Sequence, residues 1–238
     1  MNRALLTRSV RGRIRLGGIP PLFRFAHLSF QAKVTLLLGW TMLFITVVSS
    51  YSIYTVAMTE AIRMSGERLK AVAVSGALGI NADEHSKLLQ PADMDSPIYQ
   101  KIKNFLLDLQ AKNDDLHLRY IYTMVPTDQA GWWQYVVDAE PPDSRYFSML
   151  GEPEDFRYDP RFLKPITKPH ADNKFRSYKY WGKLLTATAP IRNHKGDVVG
   201  VLSVDAQPDE VMRALFRLKY LMIGFVVLGL ALSIALSY

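Results

Sequence analysis

A chain of 238 residues with a formal charge of +7 invites a nucleic-acid reading, but the charge is not spread along it. Arg3, Arg8, Arg11, Arg13, Arg15, Arg24 and Lys33 fall within residues 1–33 with no acid among them, and the other 22 bases cancel the 22 acids. The excess belongs to a tail, so the high pI says nothing about a nucleic-acid face on the remainder, where no nucleic-acid partner is expected, and the absence of cysteine excludes a disulfide frame and a thiolate site.

The tail leads into an uncharged apolar run, Val34 to Met58, VTLLLGWTMLFITVVSSYSIYTVAM. A second run, YLMIGFVVLGLALSIALSY, covers Tyr220 to Tyr238. As helices they span roughly 37 and 28 Å, against a hydrocarbon core of about 30 Å. Charges cost a few kcal/mol each at the bilayer centre, so two uncharged runs are expected to be transmembrane helices. Residues 1–33 then read as a basic cytoplasmic tail attracted to anionic lipid, and 59–217 as a domain held outside the membrane. A signal peptide cleaved near Ser49 and Ser50 is the competing reading, but its h-region usually runs about 7–15 residues. Near the first span the bases are balanced, with Arg15, Arg24 and Lys33 before it and Arg63, Arg68 and Lys70 after it. Arg213, Arg217 and Lys219 precede the second span, so an outward front flank implies balancing cytoplasmic charge beyond Tyr238 and a longer protein.

From Thr59 to Ala82 good helix formers continue the first span as a stalk. Its Ala61, Leu69, Val72, Ala73, Gly76, Leu78 and Ile80 are too dense for a helix wet on all sides, so one side packs on the domain or on a partner subunit. Ser96 before Pro97 supplies an N-cap and a proline at the first helical position. The helix it opens carries Ile98, Ile102, Phe105, Leu106 and Leu109 on one face. Sheet character begins at Leu118. In LRYIYTMV, Tyr120, Tyr122 and Met124 point one way and Ile121, Thr123 and Val125 the other. Pro126 to Gly131 turns the chain, and Trp132 to Asp138 returns as an antiparallel partner. Residues 139–173 show no period and read as a long irregular excursion of the kind that carries function. Strands Leu184–Ile191 and Asp197–Asp205 flank the turn RNHKG, and a helix from Pro208 runs through Leu215 and Leu218 into the second span.

The layout is α+β: a long entering helix, an antiparallel sheet of about five strands, and a helix leaving into the membrane. The segments NADEHSKLLQPADMDSPIYQKI, RYIYTMVP with YVVDAEP, LGEP and WGKLLTATAPIRNHKGDVVGVLSVDA resemble the extracytoplasmic Cache (PAS-like) sensor domains of bacterial transmembrane receptors, over roughly residues 60–215. The resemblance implies a two-pass protein of the bacterial inner membrane, homodimeric through its stalk and spans. It would bind a small organic acid or amino acid and pass the signal to a kinase, diguanylate cyclase or chemotaxis domain beyond Tyr238. Relatives commonly carry an acid shortly before the Trp-Gly pair, whereas here Ser177, Tyr178, Lys179 and Tyr180 precede Trp181 and Gly182.

Ligand-binding candidates follow from pockets lying on one sheet face under the excursion. Tyr122 and Tyr135 carry a hydroxyl at mid-strand, and Asp138 and Asp205 each end a strand. Arg145 has the geometry for a bidentate grip on an anion, with Lys179 a second cation, and Trp181 offers an apolar wall. The resemblance suggests that Asp205 meets a ligand amine; capping of the last helix is its structural alternative. Metal and catalytic readings fail. Asp83, Glu84 and His85 spread over about 200° of a helix and do not converge on an ion. Glycines form neither GxGxxG nor a P-loop, and no GxSxG exists. No cofactor, metal ligand or catalytic residue is expected in the chain. The alternative to a sensor is an anchored docking module that meets a protein partner through the Trp and Tyr surface of residues 132–158.

Overall fold

The computed structural model describes residues 29–235, so most of the basic tail and the last three residues of the second apolar run lie outside the described residues. The contacts divide the chain into two units. One is 47–225, the folded domain with the adjoining helix segments; the described part of the other, 30–46 and 226–235, is helical throughout.

Helix α1 (Phe30–Gly79) is unbroken for 50 residues. Among the described residues it is the one helix long and apolar enough to cross a membrane. Its outer part closes on the sheet through Ile62, Leu69, Val72, Ala73 and Ala77, all buried. Gly76 makes the approach close, since a Cβ there would meet Leu202 and Leu109. Leu78, expected on the packed side, is instead 83% exposed, because it lies off the arc defined by Leu69, Ala73 and Gly76. Helix α2 (Ala82–His85) is capped by Asn81, whose side chain accepts from the amides of Asp83 and Glu84. Helix α3 (Pro97–Ala111) begins as its sequence requires, with the Ser96 hydroxyl accepting from the Tyr99 amide. Ile102 and Leu106 are buried, and Ile98, Phe105 and Leu109 pack beside them.

The sheet comprises β1 (Leu118–Pro126), β2 (Trp132–Asp138), β3 (Pro153–Asp155), β4 (His170–Ala171), β5 (Arg176–Tyr178), β6 (Gly182–Arg192) and β7 (Val198–Ala206). Their order is β3-β2-β1-β7-β6-β4, with β5 paired to β6, and these pairings are antiparallel. The sheet therefore has seven strands rather than about five: to the four that the sequence places it adds β3, β4 and β5, segments of two or three residues that pair with the sheet edges within or just after the excursion and are too short for a period to show. Both hairpin glycines have the positive φ their turns require, Gly182 at 81° and Gly196 at 89°.

One face of the sheet, with Ile121, Val136, Leu185, Ala187, Leu202 and Val204, packs under α1 and α3. Fully buried Leu and Ile side chains contribute about 2–3 kcal/mol each there. The other face carries Met124, Trp133, Tyr135 and Val201 and is covered by Phe156, Phe162 and Ile166 of the excursion. A pairing irregularity between Thr123 and Met124 accommodates a buried polar pair: His85 Nε2 lies 2.9 Å from Thr123 Oγ1, which also accepts from the Val137 amide at 3.0 Å. Burial lowers the His85 pKa to about 4. Helix α4 (Asp209–Ala235) follows β7 after Gln207 and Pro208.

Candidate functional site

A cavity lies between the second sheet face and the excursion. Tyr120 and Tyr122 of β1, Tyr135 and Asp138 of β2, Glu154 of β3, Thr186 of β6 and Asp205 of β7 form its floor and sides. Tyr146, Ser148, Phe156, Arg161 and Phe162 come from the excursion, and Tyr178, Trp181 and Leu184 from the β5–β6 hairpin. It is an open slot of about 560 Å³ counted to its mouth, within the size range of small-solute pockets.

The period of β1 aims Tyr120 and Tyr122 into this space, and the register sets Asp205 of β7 opposite both Tyr120 and Thr186. Asp205 is 2% exposed, and its carboxyl interacts with the hydroxyls of Thr186 and Tyr122, which donate to it. Its Oδ1 has no hydrogen-bond partner. Burial outweighs those two donors and raises its pKa to about 7. Its side chain lines the slot.

Asp138 is differently placed. Its Oδ1 accepts from the Glu140 amide at 2.9 Å and its Oδ2 from the Ser148 amide at 2.8 Å, which ties the start of the excursion to the end of β2. Burial still raises its pKa to about 6. Glu154, on the edge strand, is raised to about 7 by burial and by the neighbouring Glu152 and Asp155. Tyr122 and Tyr135 are in ring contact at 5.3 Å, and burial pushes both hydroxyls well above their ordinary range.

Arg161 is the sole base in the wall, and its charge is already balanced. Its Nε donates to Asp159 Oδ1 at 3.0 Å and its Nη1 lies 2.7 Å from Asp172 Oδ1. Arg176 Nε also donates to Asp172, at 3.0 Å, so two arginines and two buried aspartates form a neutral cluster. It clamps the 3₁₀ turn Pro160–Leu163 to β4 and β5. The acids of the slot, Asp138, Glu154 and Asp205, therefore have no cation of their own in its wall. An acidic slot lined by aromatic faces favours a cationic head group.

Of the sequence candidates, Tyr122, Tyr135, Asp138, Trp181 and Asp205 all line the slot. Arg145 does not join them. It is exposed, with its guanidinium against the ring and hydroxyl of Tyr146, because the turn after Pro141 directs it outward. Lys179 is exposed at the hairpin tip, over the ring of Tyr180. Glu154, Arg161, Tyr146 and Tyr178 were not expected. Of these, Arg161 left a trace in the sequence: Asp159 before Pro160 is an N-cap signal for the short helical turn that carries it.

No family model matches the sequence, and no curated protein matches it. Among solved structures the chain is similar to sensor domains. The Escherichia coli DcuS sensor domain is 15% identical, with a TM-score of 0.43 over 65% of this chain and 96% of that one. The sensory domain of the Campylobacter jejuni chemoreceptor Tlp3 with isoleucine bound is 13% identical, with a TM-score of 0.36 over 72% of this chain and 66% of that one. The Tlp3 ligand-binding domain in complex with L-valine is 14% identical, with a TM-score of 0.34 over the same shares. The roles of individual residues rest on this chain's own geometry.

Proposed function

We propose that this chain is a membrane-anchored, extracytoplasmic sensor of a small solute bearing a protonated amine, an amino acid foremost. The observation that carries this reading is the Asp205 carboxyl, buried in a slot lined by two further acids and five tyrosines, with one oxygen lacking a partner. An ammonium group supplies what that oxygen lacks and replaces the proton that burial holds there. A simple organic acid would bring a further negative charge beside Asp138, Glu154 and Asp205, where Arg161 is already balanced by Asp159 and Asp172, and Lys103, which acts on Asp138 from outside the lining, donates to the Glu140 carbonyl.

The output route follows from chain order. Asp205 lies one residue before the end of β7, and two residues separate β7 from α4. A ligand that repositions Asp205 moves the start of α4, which we read as the second transmembrane helix, in a homodimer held by its stalk and spans. The ligand biases the two states only by its difference in affinity for them, tenfold in population for about 1.4 kcal/mol. Of the Trp and Tyr side chains on which a docking module would rest, Trp133 and Tyr135 are buried, Trp132 and Tyr146 are half-buried and Tyr158 is exposed.

Thermal unfolding of the full chain in nanodiscs, with an α-amino acid, its deaminated acid and its decarboxylated amine, tests the reading. Stabilisation by the two amine-bearing members and not by the deaminated acid is expected. Stabilisation by the acid alone would refute it.

A further inference from the structure

The β5–β6 hairpin carries a chemistry that the sensor reading does not use. From Asn173 to Lys183 the sequence is NKFRSYKYWGK, with four bases and no acid. Lys174, Lys179 and Lys183 are exposed and enter none of the ion pairs among the described residues. Tyr180 at the tip is 69% exposed, its ring 6.2 Å from that of Trp181. Exposed lysines around a Tyr-Trp pair are the composition of a membrane interface: aromatic rings with one wet end and cations for lipid phosphate.

The fold sets the height of this tip. On α1, Gly66 lies against Asp172 and Ala171, the latter paired with Ala187 of β6, while Val74, Ala77 and Leu78 lie beside Ala189 and Pro190. Helix and strand therefore run in the same direction, and descending β6 from Thr186 to Gly182 means descending α1 toward its apolar run. Four strand residues at about 3.3 Å are matched by roughly nine helical residues at about 1.5 Å. Gly182 is thus level with the turn Ala57–Ile62, where the uncharged run gives way to Thr59 and Glu60. Leu185 pairs with Ala206, so the hairpin extends past the end of β7, on the side where α4 begins. The tip side chains reach several ångströms further, into the polar headgroup layer that flanks the hydrocarbon core.

We propose that the β5–β6 hairpin seats on the headgroups of an anionic bilayer. Lys179 and Lys183 meet lipid phosphate, and Tyr180 and Trp181 lie in the interfacial layer. Tyr178 and Trp181 also line the ligand slot, so the lipid seat and the solute site share one hairpin. This rests on the reading of α1 as a membrane span.

The chain has no cysteine, so single-cysteine variants of the full chain can carry one nitroxide each. Labels at Ser177→Cys beside the tip, Asp128→Cys at the opposite end of the sheet and Val47→Cys in the apolar run are compared in nanodiscs. The discs contain phosphatidylcholine alone or an equal mixture with phosphatidylglycerol, and collisions with membrane-dissolved oxygen and a water-soluble nickel chelate are measured. The proposal predicts that position 177 is shielded from nickel in the mixed discs and much less in phosphatidylcholine, with position 128 unchanged. Lys179→Glu with Lys183→Glu abolishes that shielding, since each lysine is worth roughly five-fold in surface partition. A label at 47 in lipid with 177 open to nickel in both discs overturns the hairpin seat and leaves the anchor standing. A label at 47 open to nickel overturns the anchor and the seat with it. Shielding of 177 that is equal in both discs and accompanied by spin–spin broadening assigns the hairpin to a second copy and overturns the lipid seat.

Discussion

Gly66 of α1 lies so close to Asp172 that a Cβ at position 66 would stand 2.9 Å from the Asp172 carbonyl oxygen. The Asp172 carboxylate holds Arg161 in the wall of the slot, so one residue joins the stalk helix to the ligand site. Gly66→Ala would raise helix propensity by about 1 kcal/mol in a free helix. Here it forces α1 off β4, and a net loss of about 1–2 kcal/mol is expected in denaturant unfolding, with weaker solute binding.

The pH dependence of stability has a definite sign. Asp205 and Glu154, raised to about 7, and Asp138, raised to about 6, keep protons in the folded chain that they release in the unfolded one. Their contribution is full below about pH 4 and is lost as pH rises through 7. His85 and His170 are lowered and act oppositely, but above about pH 7 they are neutral in both states. Stability of the solute-free chain should therefore fall between pH 6.5 and 8. Asp205→Asn should flatten the fall and gain on the order of 1–2 kcal/mol at pH 8, read from urea unfolding at each pH.

Removing Arg161 leaves Asp159 and Asp172, both nearly fully buried, with Arg176 alone. Arg161→Ala should cost about 3 kcal/mol. Adding Asp172→Asn should recover part of that loss, a coupling that a double-mutant cycle measures directly.

Thr123 is the shared partner of the His85 ring and the Val137 amide. Thr123→Val keeps the shape and orphans both groups, with an expected cost of about 2–4 kcal/mol. Thr123→Ser should cost far less, and amide exchange at Val137 distinguishes the two.

The α+β layout, the N-cap at Ser96 and the four long strands were legible because each rests on a local pattern: a cap, a period of two, a glycine turn. The paired tyrosines and Asp205 were legible for the same reason, since strand period alone decides which face they take. Glu154, Arg161 and Tyr178 were not, because β3 and β5 are too short for a period to show and Arg161 sits on a turn clamped by Asp159 and Asp172. Arg145 has chemistry suited to an anion, and its position in the turn sends it to solvent. His85 follows Asp83 and Glu84 in the sequence with no period to mark it as core, yet it is 1% exposed because α2 folds it onto the Thr123 irregularity.

Calorimetric titration of the full chain in nanodiscs with an amino acid reads whether Asp205 accepts a ligand amine. With Asp205 near 7, the ionised fraction, and with it the affinity, should rise about tenfold between pH 6 and 8, and Asp205→Asn should remove both the binding and the slope. Binding of equal strength and flat pH dependence in the variant and the wild type would contradict the account.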